Sequence, residues 1–158
     1  SFVFEGPSAK RMTAEQFIDA VWGITETAPG KIDAKVERES EKARAVRASL
    51  VKSTLLMRAL GRPNREQVVT TRPADLTTLQ ALELNNGREF VNYLNRGAAK
   101  LVAKKERVET LYLEALSRLP SSLEKQVGHE ILGARVTPES AADFLWAILM
   151  LPEFQFIN

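Results

Sequence analysis

The chain contains no cysteine. That removes disulfides, thiolate metal sites, a cysteine nucleophile and covalent haem attachment together, while leaving the compartment open. Histidine occurs once, at His129. Followed by Glu130, it lacks the second histidine of a His-Glu-x-x-His zinc motif, so it reads as a structural histidine, at the surface or partly buried. An excess of one charge is missing too. The formal net charge is +2 with a pI near 9.0, far from the concentrated basic stripe of a nucleic-acid binder. No apolar run is long enough to cross a bilayer. The opening Ser1-Phe2-Val3-Phe4-Glu5-Gly6-Pro7 has neither the basic start nor the apolar core of a signal peptide, so either the protein is not exported or its signal lies outside these residues. No Gly-x-Ser-x-Gly elbow presents a serine to His129 with Asp143 or Asp75. Six residues rather than four separate Gly23 from Gly30, and Ile32 follows Lys31, so this stretch is not a phosphate loop. No metal and no cofactor is expected in this domain.

What the chain does have is helical periodicity. Its 158 residues, 44% of them hydrophobic, suit one domain with a substantial core. Thr13 with Gln16 forms a capping box ahead of Phe17, Ile18, Val21 and Trp22, predicting a helix over 13–25. Residues 28–48 break that pattern and then alternate charges, as either a linker or a solvated helix. Ser49 to Leu60 reads as a short helix stopped by Gly61, and Leu76 to Leu84 as one ended by Asn85-Asn86-Gly87, residues that tolerate the left-handed conformation. Phe90, Leu94, Ala98 and Leu101 mark a helix from Arg88 to Lys104, and Val108, Leu111, Tyr112, Ala115 and Leu119 another from Glu106 to Arg118. Ser121 with Glu124 opens a helix through Leu132, and Thr137-Pro138-Glu139 opens the last, to Met150. That helix is apolar nearly all round and is expected at the centre of the core, with Pro152 to Ile157 folding back on it. Gln67 to Thr71 could form a short extended piece, but no alternation insists on a sheet. The expected fold is all-α, a compact bundle of about six helices with irregular connections.

One stretch is not explained by helix amphipathicity. Arg62, Arg65 and Arg72, with Asp75, Asn85 and Asn86, crowd the connection between two helices. The guanidinium groups could receive a carboxylate, a sulfate or an acidic sugar bidentately. Alternatively they bond the orphan carbonyls of neighbouring helix ends, which is the expectation favoured here.

Two segments carry a resemblance. Leu60 to Gly87, and Leu111 to Pro120 together with Phe144 to Leu149 and Glu153 to Phe156, resemble the C-terminal secreted domain of unknown function in large planctomycete cytochrome-c-domain proteins. The resemblance implies one piece of a larger exported protein, periplasmic or extracellular. It transfers no catalytic residue. The haem role of neighbouring modules does not carry over, because no Cys-x-x-Cys-His occurs. Many relatives have cysteines near Thr70 to Arg72, which this chain lacks, so no shared redox or metal role of that segment carries over either.

The leading functional expectation is a non-catalytic helical interaction domain that docks on other domains of its parent polypeptide, through Trp146, Met150, Phe154 and Phe156. One alternative is a module binding acidic or sulfated polysaccharide through the arginine segment. Another is a carboxylate-based hydrolase, which requires a deep pocket with perturbed titratable groups.

Overall fold

A computed structural model describes residues 9–33, 46–63 and 77–157 of the chain. Helix α1 (Ala14–Thr25) starts where the capping box placed it: the Gln16 amide donates to Thr13 Oγ1 at 3.3 Å, and the Thr13 amide to Gln16 Oε1 at 2.9 Å. It ends at Glu26, whose left-handed backbone (φ 51°) turns its N–H onto Trp22 O. Lys100 holds that corner, donating to both the backbone oxygen and Oε2 of Glu26 at 2.9 Å.

The helix expected over 49–60 is two pieces. A 3-10 turn over Ala48–Leu50 is pinned by the Ala48 amide donating to Asp19 Oδ1 at 2.6 Å. Val51 is then extended, and Thr54 caps a short helix α2 (Leu55–Ala59). Gly61, at φ +91°, stops α2 as its position suggested.

Helix α3 (Thr78–Asn86) runs into α4 (Arg88–Ala103) with only Gly87 between them. The left-handed ending expected at Asn85-Asn86 does not occur, because both asparagines are helical and Gly87 sits at φ −62°. Glycine is needed there for space: a Cβ at Gly87 would lie 2.3 Å from Glu83 O, which accepts the Gly87 N–H.

Next come α5 (Arg107–Leu116), closed by left-handed Ser117, and α6 (Ser122–Leu132) with its Ser121–Glu124 capping box complete. Helix α7 (Pro138–Leu149) starts at Thr137 with proline in its first turn, and Ser140 completes a capping box. A one-turn helix α8 (Pro152–Gln155) brings the chain back, and strand β2 (Phe156–Ile157) pairs antiparallel with strand β1 (Lys10–Arg11). This two-residue ribbon was not expected from the sequence. The predominantly α-helical expectation otherwise holds, while 34–45 and Gln67 to Thr71 lie outside the described residues.

The core forms where α4 and α7 pack most extensively, with α1 across α4 and α6 on α7. Phe90, Leu94, Ala98 and Leu101 of α4 meet Ala141, Phe144, Leu145, Ile148 and Leu149 of α7, all buried. Each large side chain there contributes about 1.5–3 kcal/mol of apolar burial. Helix α7 is therefore central, as its largely apolar pattern implied. Close approach of α1 to α4 depends on Gly97, where a Cβ would lie 2.8 Å from the Thr25 methyl. Phe17 links three elements: its ring centroid lies 6.1 Å from Phe90 on α4 and 5.8 Å, edge-on, from Phe154 on α8.

Candidate functional site

The arginine segment resolves at one residue. Arg62 is turned inward, with only 10% of its side chain exposed. Its Nη1 donates to Ala48 O at 2.8 Å and approaches Met57 Sδ at 3.0 Å, while Nη2 donates to Val51 O at 3.0 Å and Ser49 O at 3.3 Å. Its Nε lies 3.6 Å from Glu15 Oε1 on α1. Every guanidinium nitrogen thus faces a partner inside the chain, and the 3-10 turn keeps its irregular shape because one side chain collects its carbonyls. Arg65, Arg72 and Asp75 lie outside the described residues; Asn85 and Asn86 are exposed at the end of α3.

The proposed interaction residues do not share one exposed face. Phe154 is buried in the core and Met150 is half-buried against it. Trp146 is 37% exposed, and its indole N–H donates to Leu84 O at 3.0 Å. Phe156 is 45% exposed on the ribbon. His129 is exposed on α6, and Asp143 on α7.

A groove of about 340 Å³ opens beside the ribbon, lined by Lys10, Arg11, Thr13, Gly61, Gln80 and Phe156 among others. Arg11 connects three elements there. Its Nη2 donates to Gln155 Oε1 of α8 at 2.9 Å, and its Nη1 to Gln80 Oε1 of α3 at a longer 3.4 Å. Both amides are buried, and Gln155 is itself held by donating Nε2 to Leu149 O at 3.3 Å. Sequence reasoning missed Arg11, since a two-residue strand has no periodicity to detect. The only local signal was a Lys-Arg pair just ahead of the Thr13 cap.

A second polar cluster is structural in character. Arg118, just past α5, bonds Glu124 of α6 with Nη1 and Nη2 at 2.9 and 2.7 Å, and Glu153 of α8 with Nε and Nη2 at 2.7 Å each. Its guanidinium carbon lies 5.3 Å from the Tyr112 ring centroid. The hydrogen bonds from Arg118, with those from the backbone and side chain of Ser121, hold Glu124 down at about 2, against an ordinary 4.5. Arg118 likewise lowers Glu153. A depressed carboxylate stabilises the fold above its unfolded value and stops doing so as pH falls through its folded value. Stability is therefore expected to decline between about pH 4.5 and pH 2, read as the urea midpoint across a pH series. Glu124→Gln should lower the midpoint at neutral pH and flatten the decline. An unchanged slope in that variant would show that Glu124 is not its source.

Elsewhere, Tyr93 is pushed up to about 12 by burial and by donating to Glu89 Oε1 at 2.7 Å. Trp22 packs edge-on against it, with ring centroids 6.4 Å apart. Among the described residues, no group of three or more His, Asp or Glu is placed to hold a metal ion, and no helix is long and apolar enough to cross a membrane.

No curated protein and no solved structure matches the chain. A protein-family model does, over residues 2–132, and its description is "PSD1: Protein of unknown function (DUF1553)". The matched region ends with α6, so α7, α8 and β2 lie beyond it.

Proposed function

The chain belongs to that family, and from this premise we propose that it is a non-catalytic interaction domain, docked on other domains of a larger exported polypeptide as its sequence resemblance implies. The observation that carries this reading is the orientation of α6. The helix meets the core with its small residue, since a Cβ at Gly128 would lie 3.0 Å from both Val108 methyls and 3.2 Å from the Phe144 ring. Its C-terminal end packs inward through Leu132, which is buried, and Ile131, which is partly buried, but two larger apolar residues earlier in the helix face outward: Leu123 is 68% and Val127 44% exposed, one turn apart, with Leu119 at 62% just before the helix. Isolated exposed leucines are ordinary, but three large apolar residues spaced about one turn apart along one outer stripe, beside a glycine contact with the core, make an interaction face.

Hydrogen exchange compared between the domain alone and the complete polypeptide tests it. Peptides spanning 119–127 are expected to exchange more slowly in the complete polypeptide. Leu123→Glu should abolish that difference while changing the domain's own stability by no more than about 0.5 kcal/mol. Equal exchange in both settings would sink the docking role.

A further inference from the structure

The groove beside the ribbon is separate from the α6 face and has a chemistry of its own. In the β1–β2 register Arg11 stands directly opposite Phe156, so the guanidinium and the ring emerge on the same side of the ribbon. Both line the groove. Arg11 offers five N–H donors, of which the two to Gln80 and Gln155 are engaged, leaving donors for a ligand. Those partners are neutral amides rather than carboxylates, so they orient the guanidinium without neutralising it. Among the described residues lining the groove none is acidic, and Lys10 adds a second cation at its rim. Gly61, with φ +91° and nothing within 4 Å of a Cβ placed on it, leaves the opposite wall open.

From this juxtaposition we infer that the groove binds an anionic sugar: its carboxylate or sulfate is received by Arg11, and an apolar ring face lies on Phe156. A guanidinium recognises either oxyanion through paired hydrogen bonds, and an exposed aromatic face selects a ligand that carries the charge on a ring over a free ion. The groove's volume of about 340 Å³ falls within the range of small-ligand sites. Lys10 strengthens the attraction at a distance, where it is screened by salt. The inference does not use Arg62, whose nitrogens are occupied within the fold, and it stands or falls independently of docking through α6.

Calorimetric titration tests it with four probes: an oligogalacturonate, a sulfated carrageenan oligosaccharide, a neutral agaro-oligosaccharide and inorganic sulfate. At least one charged oligosaccharide is expected to bind saturably and the neutral one not at all. The first two arms decide whether carboxylate or sulfate is the recognised group. Arg11→Gln should weaken binding about tenfold or more, the scale of a charge-assisted hydrogen bond. Phe156→Ala, a change at a half-exposed ring, should weaken it severalfold while thermal unfolding stays close to that of the parent. Should Arg11→Gln fail to fold, Phe156→Ala still decides the matter. Binding of neither charged oligosaccharide, affinity untouched by Phe156→Ala, or equal affinity for inorganic sulfate would overturn the proposal.

Discussion

Arg62→Ala is expected to lower the unfolding free energy by about 3 kcal/mol, because the carbonyls of buried Ala48 and Val51, with that of exposed Ser49, lose a charged donor at once. The carbonyls of Ala48, Ser49 and Val51 all point at this guanidinium, and within the turn Ala48 O receives only a long 3.4 Å bond from the Val51 amide. The ion pair with Glu15 adds less, at 3.6 Å. Arg62→Lys should recover only part of the loss, since a single ammonium cannot span three acceptors in a plane. Urea unfolding of the three proteins, read as midpoint and slope, makes the comparison. A stability within about 0.5 kcal/mol of the parent in Arg62→Ala would show that water replaces the donor at no cost, and the structural account of this residue would be wrong.

Phe17→Ala should be costlier still, at about 4 kcal/mol, in the range of large buried aromatics replaced by alanine. The ring fills space between α4 and the returning tail, so its removal leaves a cavity and severs two aromatic contacts together, with Phe90 and with Phe154. The effect should also be directional. The Met12 amide, which donates to Gln155 O at 2.8 Å, should exchange with solvent much faster in the variant, because Phe154 is what seats α8. Thermal unfolding with amide exchange at Met12 measures both effects. Global destabilisation without faster exchange at Met12 would mean that the tail is held by something other than this ring.

These two residues show how far the sequence could be read. Thr13, Ser121 and Thr137 opened helices where expected because a cap is local chemistry, settled within three residues of chain. Gly61 ended a helix by backbone conformation, which is local as well. The break at Val51 was not legible, because it depends on Asp19 and Arg62, which reach the turn from 29 and 11–14 residues away. Gly87 was assigned to the right place for the wrong reason. Its role is a close approach to Glu83 O, which residue type alone does not reveal.

The site was harder to read. An arginine beside a helix end can point outward to a ligand or inward to orphan carbonyls, and Arg62 does the second, as favoured from the sequence. The groove is built from β1, the end of α2, α3 and β2, and the Arg11–Gln155 bond joins residues 144 positions apart. Nothing in a local pattern announces such a meeting. The resemblance contained a trace of tertiary structure nonetheless. Arg118 in the stretch Leu111 to Pro120 and Glu153 in the stretch Glu153 to Phe156, both within the resemblance, bond each other in the folded chain.

The ribbon has a mechanical consequence. Lys10 pairs with Ile157, so chain flanking the domain would depart from neighbouring strands at the same edge. A force separating those flanks peels the pairs open one after another, and does not shear them simultaneously. The helical core, packed through α4 and α7, lies behind the ribbon and would be loaded after it. Lys10 and Ile157 would part first and Arg11 and Phe156 next, so a pull too weak to unfold the bundle would still dismantle the groove.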